Sequence, residues 1–209
     1  TYFQHSDKVP LMSVDIPAVI LAGGLGTRIR EETEFKPKPM VEIGGRPVLW
    51  HIMKHLSHYG INRFVICVGY KGDVIRDYFL NYKSRNNDFT VSFGKSQELK
   101  FHSDHLESEW QVTVAETGAQ TNTGGRVYKI HEYVKGEKFL CTYGDGLADI
   151  NIDALFNFHN KLDKVGTITA VRPISRFGIL EIDNTDNVTS FKEKPQTEGW
   201  INGGYFIFK

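Results

Sequence analysis

Apolar positions along the chain fall into two periods. Short continuous runs at residues 17–22, 63–68, 138–143 and 165–171 read as buried strands, bounded by glycines and polar turns. Between them the period lengthens. Residues 47–59 open with Pro47 and close before Gly60, and residues 73–82 and 151–162 also carry a helical stripe. A further helix is expected over 126–134, with Val127, Ile130 and Val134 on one face. Apolar strands alternating with helices predict a parallel sheet covered on both faces. From 89 to 116 the pattern becomes strict alternation, as in Phe89-Thr-Val-Ser-Phe93 and Trp110-Gln-Val-Thr-Val114, and antiparallel strands inserted into, or added to, the main sheet are expected there. From Gly178 onward short strands joined by turns are expected.

The first strand runs straight into Leu21-Ala-Gly-Gly-Leu-Gly-Thr-Arg28. Glycines in that position let backbone N–H groups come close to a phosphate, and the carboxyl end of a strand is where open α/β sheets bind ligands. It is not a P-loop, because no Gly-Lys-Ser/Thr follows. It is not a dinucleotide fingerprint either, because Ile29 stands where the third glycine belongs. Arg28, Arg30, Lys36 and Lys38 follow closely, and Pro37 and Pro39 stiffen the chain around Lys38. Backbone donors, an arginine fork and a preset lysine together describe a triphosphate cradle. Asp145, flanked by Gly144 and Gly146 after the strand at 138–143, is the candidate ligand for a divalent metal. Asp149 is either a supporting group or the N-cap of the following helix.

Composition narrows the class. The 209 residues suffice for one domain with a substantial core. Lys plus Arg and Asp plus Glu both total 25, so nothing marks a nucleic-acid-binding module. No apolar run has the length of a membrane span, and no secretory signal is evident. Cys67 and Cys141 lie in apolar runs and read as buried thiols in a reducing cytoplasm. Residues 1–15 lack periodicity, open on Thr1-Tyr2-Phe3-Gln4 and read as a disordered or tag-derived extension; residues 16–209 read as the domain. His51, His55 and His58 have ligand-like spacing on the 47–59 helix, but no carboxylate or cysteine joins them there.

The glycine loop followed by Lys36-Pro-Lys-Pro-Met40 resembles the signature of the nucleoside-diphosphate-sugar pyrophosphorylases. Val41-Glu-Ile-Gly-Gly-Arg-Pro47, Trp50-His-Ile-Met-Lys54, Ser57-His-Tyr-Gly-Ile61, Thr123-Gly-Gly-Arg126, Tyr143-Gly-Asp-Gly146 and Ile201-Asn-Gly-Gly204 resemble the glucose-1-phosphate cytidylyltransferase branch in particular. The likeness runs from about residue 16 to the end. It implies a Rossmann-like α/β fold with a mixed, mainly parallel sheet. It also implies transfer of a cytidylyl group from CTP to glucose 1-phosphate with magnesium, for deoxysugar and surface-polysaccharide biosynthesis, in a homo-oligomer.

Carried onto these residues, the resemblance implies nucleotide contacts at Leu21, Ala22, Gly23, Gly24, Gly26, Thr27, Gln120, Thr121 and Gly125. It implies sugar-phosphate contacts at Gly144, Glu193, Lys194, Asn202 and Gly203, with Lys194 on the sugar phosphate. Arg28 would hold the leaving pyrophosphate, Lys38 the α-phosphate and Asp145 the metal. A second metal aspartate is implied from a segment further toward the C-terminus than Lys209, so the C-terminal part of the family domain is expected to be missing. Backbone groups around 117–125 could read cytosine or uracil, and residue chemistry alone leaves CTP, UTP, dTTP and GTP open. A silent nucleotide-sugar-binding homologue is a second reading, and a dinucleotide-dependent oxidoreductase, which the failed fingerprint opposes, a third.

Overall fold

The computed structural model describes residues 16–24, 36–94, 97–104, 106–136, 138–162 and 164–209. The proposed extension at 1–15, with Gly26, Thr27 and Arg28, lies outside these residues. The strands begin with β1 (Ala18–Leu21), β2 (Glu42–Ile43), β3 (Arg46–Pro47), β4 (Arg63–Val68), β5 (Phe89–Phe93) and β6 (Gln97–Phe101). They continue with β7 (Gln111–Glu116), β8 (Phe139–Tyr143), β9 (Gly166–Val171), β10 (Ile179–Ile182), β11 (Val188–Lys192) and β12 (Ile201–Phe208). The helices are α1 (Val48–His58), α2 (Gly72–Leu80), α3 (Tyr82–Asn86), α4 (Thr123–Lys129) and α5 (Ile152–Lys161).

Six strands form the main sheet in the order β7-β4-β1-β8-β12-β9. The first four run parallel, and β12 is antiparallel to both neighbours. The expected mixed, mainly parallel sheet is therefore found. Alternation along β1 and β4 divides two cores. Ala18, Ile20, Phe64, Ile66 and Val68 face α1, α2 and α5 through Leu49, Ile52, Met53, Leu56, Ile75 and Phe156. Val19, Val65, Cys67 and Cys141 face the other way, onto Val127 of α4 and Ile130 after it. Both cysteines are free and buried, and burial pushes each thiol up to about 12, so they behave as small hydrophobes. Among the described residues no helix is long and apolar enough to cross a membrane.

Three expectations need correction. β5 and β6 are antiparallel as expected, but among the described residues they pair only with each other, as a separate hairpin, and β7 is a parallel edge strand beside β4. Alternation marks an apolar face and says nothing of direction or burial: β7 is mostly half-buried, whereas Phe89 and Phe93 of β5 stay exposed. The helix expected at 126–134 begins at Thr123, because Asn122 Oδ1 accepts the Gly125 N–H at 2.9 Å and caps it. It ends at Lys129, and a separate 3-10 turn spans His131–Tyr133. The cap of α5 is Asn151, whose side chain accepts the Ala154 N–H at 2.9 Å, so Asp149 is not that cap.

Candidate active site

The order β4-β1-β8 places a topological switch beside β1: the chain leaves β1 for β4 on one side and returns as β8 on the other. Crevices at such points, outside the carboxyl ends of the strands, are the ligand sites of open α/β sheets. A cleft of about 760 Å³ opens there, lined by residues following β1 (Ala22, Gly23, Gly24), β7 (Ala119, Gln120, Thr121) and β8 (Asp145). The ladder continues past the strands into these turns. Ala22 N–H donates to the Cys67 carbonyl at 2.9 Å, Gly144 N–H to Leu21 at 3.0 Å and Thr117 N–H to Val68 at 2.9 Å.

Lys38 and Asp145 come together through the prolines. Pro37 is extended, and Lys38–Met40 forms a 3-10 turn closed by the Met40 N–H on the Pro37 carbonyl at 2.8 Å. Pro39 is drawn down onto Gly144: a Cβ at Gly144 would stand 2.8 Å from the ring. The next residue is Asp145, and its Oδ2 lies 3.8 Å from Lys38 Nζ. The lysine side chain is 19% exposed and the carboxylate 49%. A cation and an anion are thus poised at one wall of the cleft, near enough to share a phosphate and too far apart to neutralise each other fully.

Asn202 enters from β12. The register of β12 against β9 shifts between Asn202 and Phe206, and Gly204 there has φ +85°. Such a bulge re-aims side chains. Asn202 Oδ1 accepts the Gly204 N–H at 2.7 Å and its Nδ2 donates to the Tyr143 hydroxyl at 3.2 Å, so the amide stands in the cleft against Tyr143.

Of the residues proposed from sequence, Leu21, Ala22, Gly23, Gly24, Lys38, Gln120, Thr121, Asp145 and Asn202 line the cleft. Gly125 gives its N–H to the Asn122 cap. Gly144 accommodates Pro39, and Gly203 lies against Thr169, where a Cβ would approach Oγ1 to 2.7 Å. Glu193 and Lys194 follow β11, are solvent-exposed, and are not among the lining residues. Lys194 has φ +43°, a left-handed conformation that costs a non-glycine residue about 1 kcal/mol or more.

Sequence reasoning assigned Arg126 no role, although it sits in a quoted motif. It lines the cleft and is only 5% exposed. Its guanidinium donates to Thr117 Oγ1 at 2.6 Å, the Gly23 carbonyl at 2.8 Å and the Val68 carbonyl at 3.2 Å, joining the turns after β1, β4 and β7. The signal available was its place directly after the Asn122-Thr-Gly-Gly125 cap; an arginine in a helix is ordinarily solvated. His51 and His55, considered above as metal ligands, instead hydrogen-bond the carbonyls of Ile43 and Ile150, both at 2.9 Å.

As for a metal, Asp145 is the carboxylate in the cleft lining, and among the described residues no three His, Cys, Asp or Glu side chains cluster. That donor set suits magnesium, which is bound by one or two carboxylates together with substrate phosphates rather than by an all-protein cage.

The family model described as nucleotidyl transferase matches residues 17–209. Glucose-1-phosphate cytidylyltransferase of Salmonella typhimurium is 52% identical over 192 residues, covering 91% of this chain and 74% of that protein. A probable glucose-1-phosphate cytidylyltransferase of Bacillus subtilis is 43% identical, with 91% and 73% covered. Among solved structures, HddC from Yersinia pseudotuberculosis complexed with GMP-PN is similar, with a TM-score of 0.63, 27% identity, and 93% of this chain and 76% of that one covered. A parallel sheet with a glycine turn, a lysine and an aspartate gathered at its switch point, matched over nearly its whole length by that model, makes this chain a member of the nucleotidyl transferase family and a nucleotidyltransferase.

Proposed function

We propose that this protein transfers the cytidylyl group of CTP to glucose 1-phosphate, giving CDP-glucose and pyrophosphate. The observation that carries the reading is the meeting of Lys38 and Asp145 opposite the Gly23-Gly24 turn in one cleft. The 52% identity to the Salmonella cytidylyltransferase supports the choice of substrates.

The chemistry asks for positioning and charge rather than a strong base. A phosphate monoester carries about −1.5 to −2 near neutral pH. Its oxygen attacks the α-phosphorus in line, forming one P–O bond as the bond to the β-phosphate breaks with its electron pair, and pyrophosphate departs. Lys38 stabilises charge on the α-phosphate oxygens, and the N–H groups after β1 hold the triphosphate. Arg28 receives the pyrophosphate. Asn202, in the cleft, hydrogen-bonds sugar hydroxyls, and Lys194 and Glu193, exposed after β11 and outside the cleft lining, would hold the sugar phosphate and hydroxyls only on moving toward it. Magnesium, when bound at Asp145, neutralises charge on the α-phosphate and pyrophosphate. Catalysis is then chiefly approximation and electrostatics. The two unionised thiols support a reducing, cytoplasmic setting, and the exposed apolar side chains of the β5–β6 hairpin, Phe89, Phe93 and Leu99, support assembly of identical copies.

The test is pyrophosphate release from glucose 1-phosphate and magnesium with CTP, UTP, GTP, ATP and dTTP in separate reactions. Release with CTP far above the others is expected. Preference for another nucleotide would keep the reaction and overturn the base; nucleotide binding without release under any of the five would favour a binding-only protein.

A further inference from the structure

The turn at 117–121 forms one wall of the cleft, and groups outside the proposed chemistry hold it in shape. Lys129 Nζ, from the last turn of α4, donates to the Thr117 carbonyl at 2.9 Å and to Thr121 Oγ1 at 3.2 Å. Thr121 Oγ1 donates to the same carbonyl at 2.5 Å. Gly118 lies inside this knot with φ +91°, and a Cβ there would stand 2.9 Å from Thr121 Oγ1 and 3.5 Å from Lys129 Nζ. On the opposite side Glu116 Oε1 accepts the Gly118 N–H at 2.9 Å, while its other oxygen accepts from Arg76 of α2 at 2.7 Å. The hydrogen bond from Arg76 is the main cause holding the Glu116 carboxyl below its ordinary range.

These bonds occupy the backbone groups of Thr117 and Gly118 and the Thr121 N–H, and leave the centre of the turn. Among the described residues no hydrogen bond ends on the N–H of Ala119 or Gln120, or on the Gln120 carbonyl. Ala119 and Gln120 line the cleft. Two N–H donors and the carbonyls of Gln120 and Thr121 remain for a ligand. Cytosine presents two acceptors, O2 and N3, and one donor, the 4-amino group. Uracil presents the same count, two acceptors (O2 and O4) and one donor (N3–H), in a different order, so an order of turn groups that suits one base sets like against like with the other. Leaving polar groups opposed in this way discriminates strongly. Peptide groups carry both donor and acceptor, so the preference resides in how the turn is wound and not in a side chain that reads the base.

We propose that Lys129 is a positioning residue for base selection: by holding Thr117 and Thr121 together it fixes the order in which the backbone groups of Ala119 and Gln120 meet a base in the cleft. It acts through those two residues and touches no reacting atom. The inference rests on the cleft being the nucleotide site.

The experiment uses the whole chain with Lys129→Met and Lys129→Arg, measuring the Kd of CTP and of UTP with magnesium by calorimetry, and thermal melting alongside. Wild type should prefer CTP. Lys129→Met should lose about tenfold or more of that preference, mainly by weaker CTP binding, with melting shifted by only a few degrees. Lys129→Arg should restore most of the preference. An unchanged CTP/UTP ratio in Lys129→Met, or equal weakening of both nucleotides, would overturn the proposal. A wild type that prefers another base would refute the cytosine reading alone, since Lys129→Met must then erase that other preference. Absence of binding by any nucleotide would refute the site and this role with it.

Discussion

Gly23 and Arg126 are coupled tightly enough to predict a non-additive pair of mutations. Gly23 is not among the glycines with positive φ, so its backbone would accept alanine. The obstacle is the guanidinium: a Cβ at Gly23 would stand 2.0 Å from Arg126 Nη1 and 2.5 Å from Cζ. Alanine therefore evicts a group that is anchored to Thr117, Gly23 and Val68 at 2.6, 2.8 and 3.2 Å. Hydrogen bonds to a charged group contribute about 1.5–3 kcal/mol each, and the two shorter ones dominate, so the gross loss is about 3–6 kcal/mol. Relief of a buried charge whose described partners are neutral oxygens offsets only part of this loss, since the hydrogen-bond values are already net of much of the desolvation. A net destabilisation of about 2–4 kcal/mol follows. In a domain of this size each kcal/mol lowers Tm by about 2–4 °C, so Arg126→Ala should melt roughly 5–15 °C lower. Gly23→Ala should cost nearly as much in the wild type and very little in the Arg126→Ala background, where the added methyl meets no guanidinium. Thermal unfolding of the four proteins by circular dichroism gives the cycle. A coupling of about 2 kcal/mol is expected; additivity within about 0.5 kcal/mol would refute the reasoning, as would an unchanged Tm in Gly23→Ala.

Lys38→Ala and Asp145→Ala should each reduce turnover by a factor on the order of 100 or more with melting nearly unchanged, because both groups act on transition-state charge and their mutual contact at 3.8 Å is weak. Near-normal turnover in either variant would reassign its role. His159 is buried, hydrogen-bonded through Nδ1 to Thr167 Oγ1 at 2.8 Å, with no partner for Nε2 among the described residues. Burial first, and then the charges of Lys138 and Lys209, hold it below the ordinary histidine value. The folded state thus binds fewer protons than the unfolded one. This contribution is intact above the ordinary value of about 6.5 and is lost as pH falls through it. The denaturation midpoint should fall from pH 7.5 to 5.5, and His159→Gln, though less stable at pH 7.5, should fall less; equal falls would exclude His159 as the cause.

Much of the molecule was legible from local pattern alone. The strands at Ala18–Leu21 and Arg63–Val68 and the helices at Val48–His58 and Ile152–Lys161 fall within a residue or two of their expected places. Continuous apolar runs, a proline start and a polar cap are properties of neighbouring residues. The glycine turn after β1 and the stiffened Lys38 were visible for the same reason.

Other features depend on which segments meet. Whether β7 runs parallel beside β4 or pairs with the β5–β6 hairpin turns on competition for a sheet edge, and alternation is the same in either case. The approach of Lys38 to Asp145 needs Pro39 to seat on Gly144, a fit of shapes between two distant stretches. Arg126 and Gly23 lie 103 residues apart, and nothing near either one announces the other. By itself the sequence determined the elements and the chemistry placed at their ends, because period, proline and glycine act over a few residues. The tertiary structure alone decided that an arginine would be buried and a turn wound around a lysine, because a charge leaves water only where carbonyls from several segments converge to replace it.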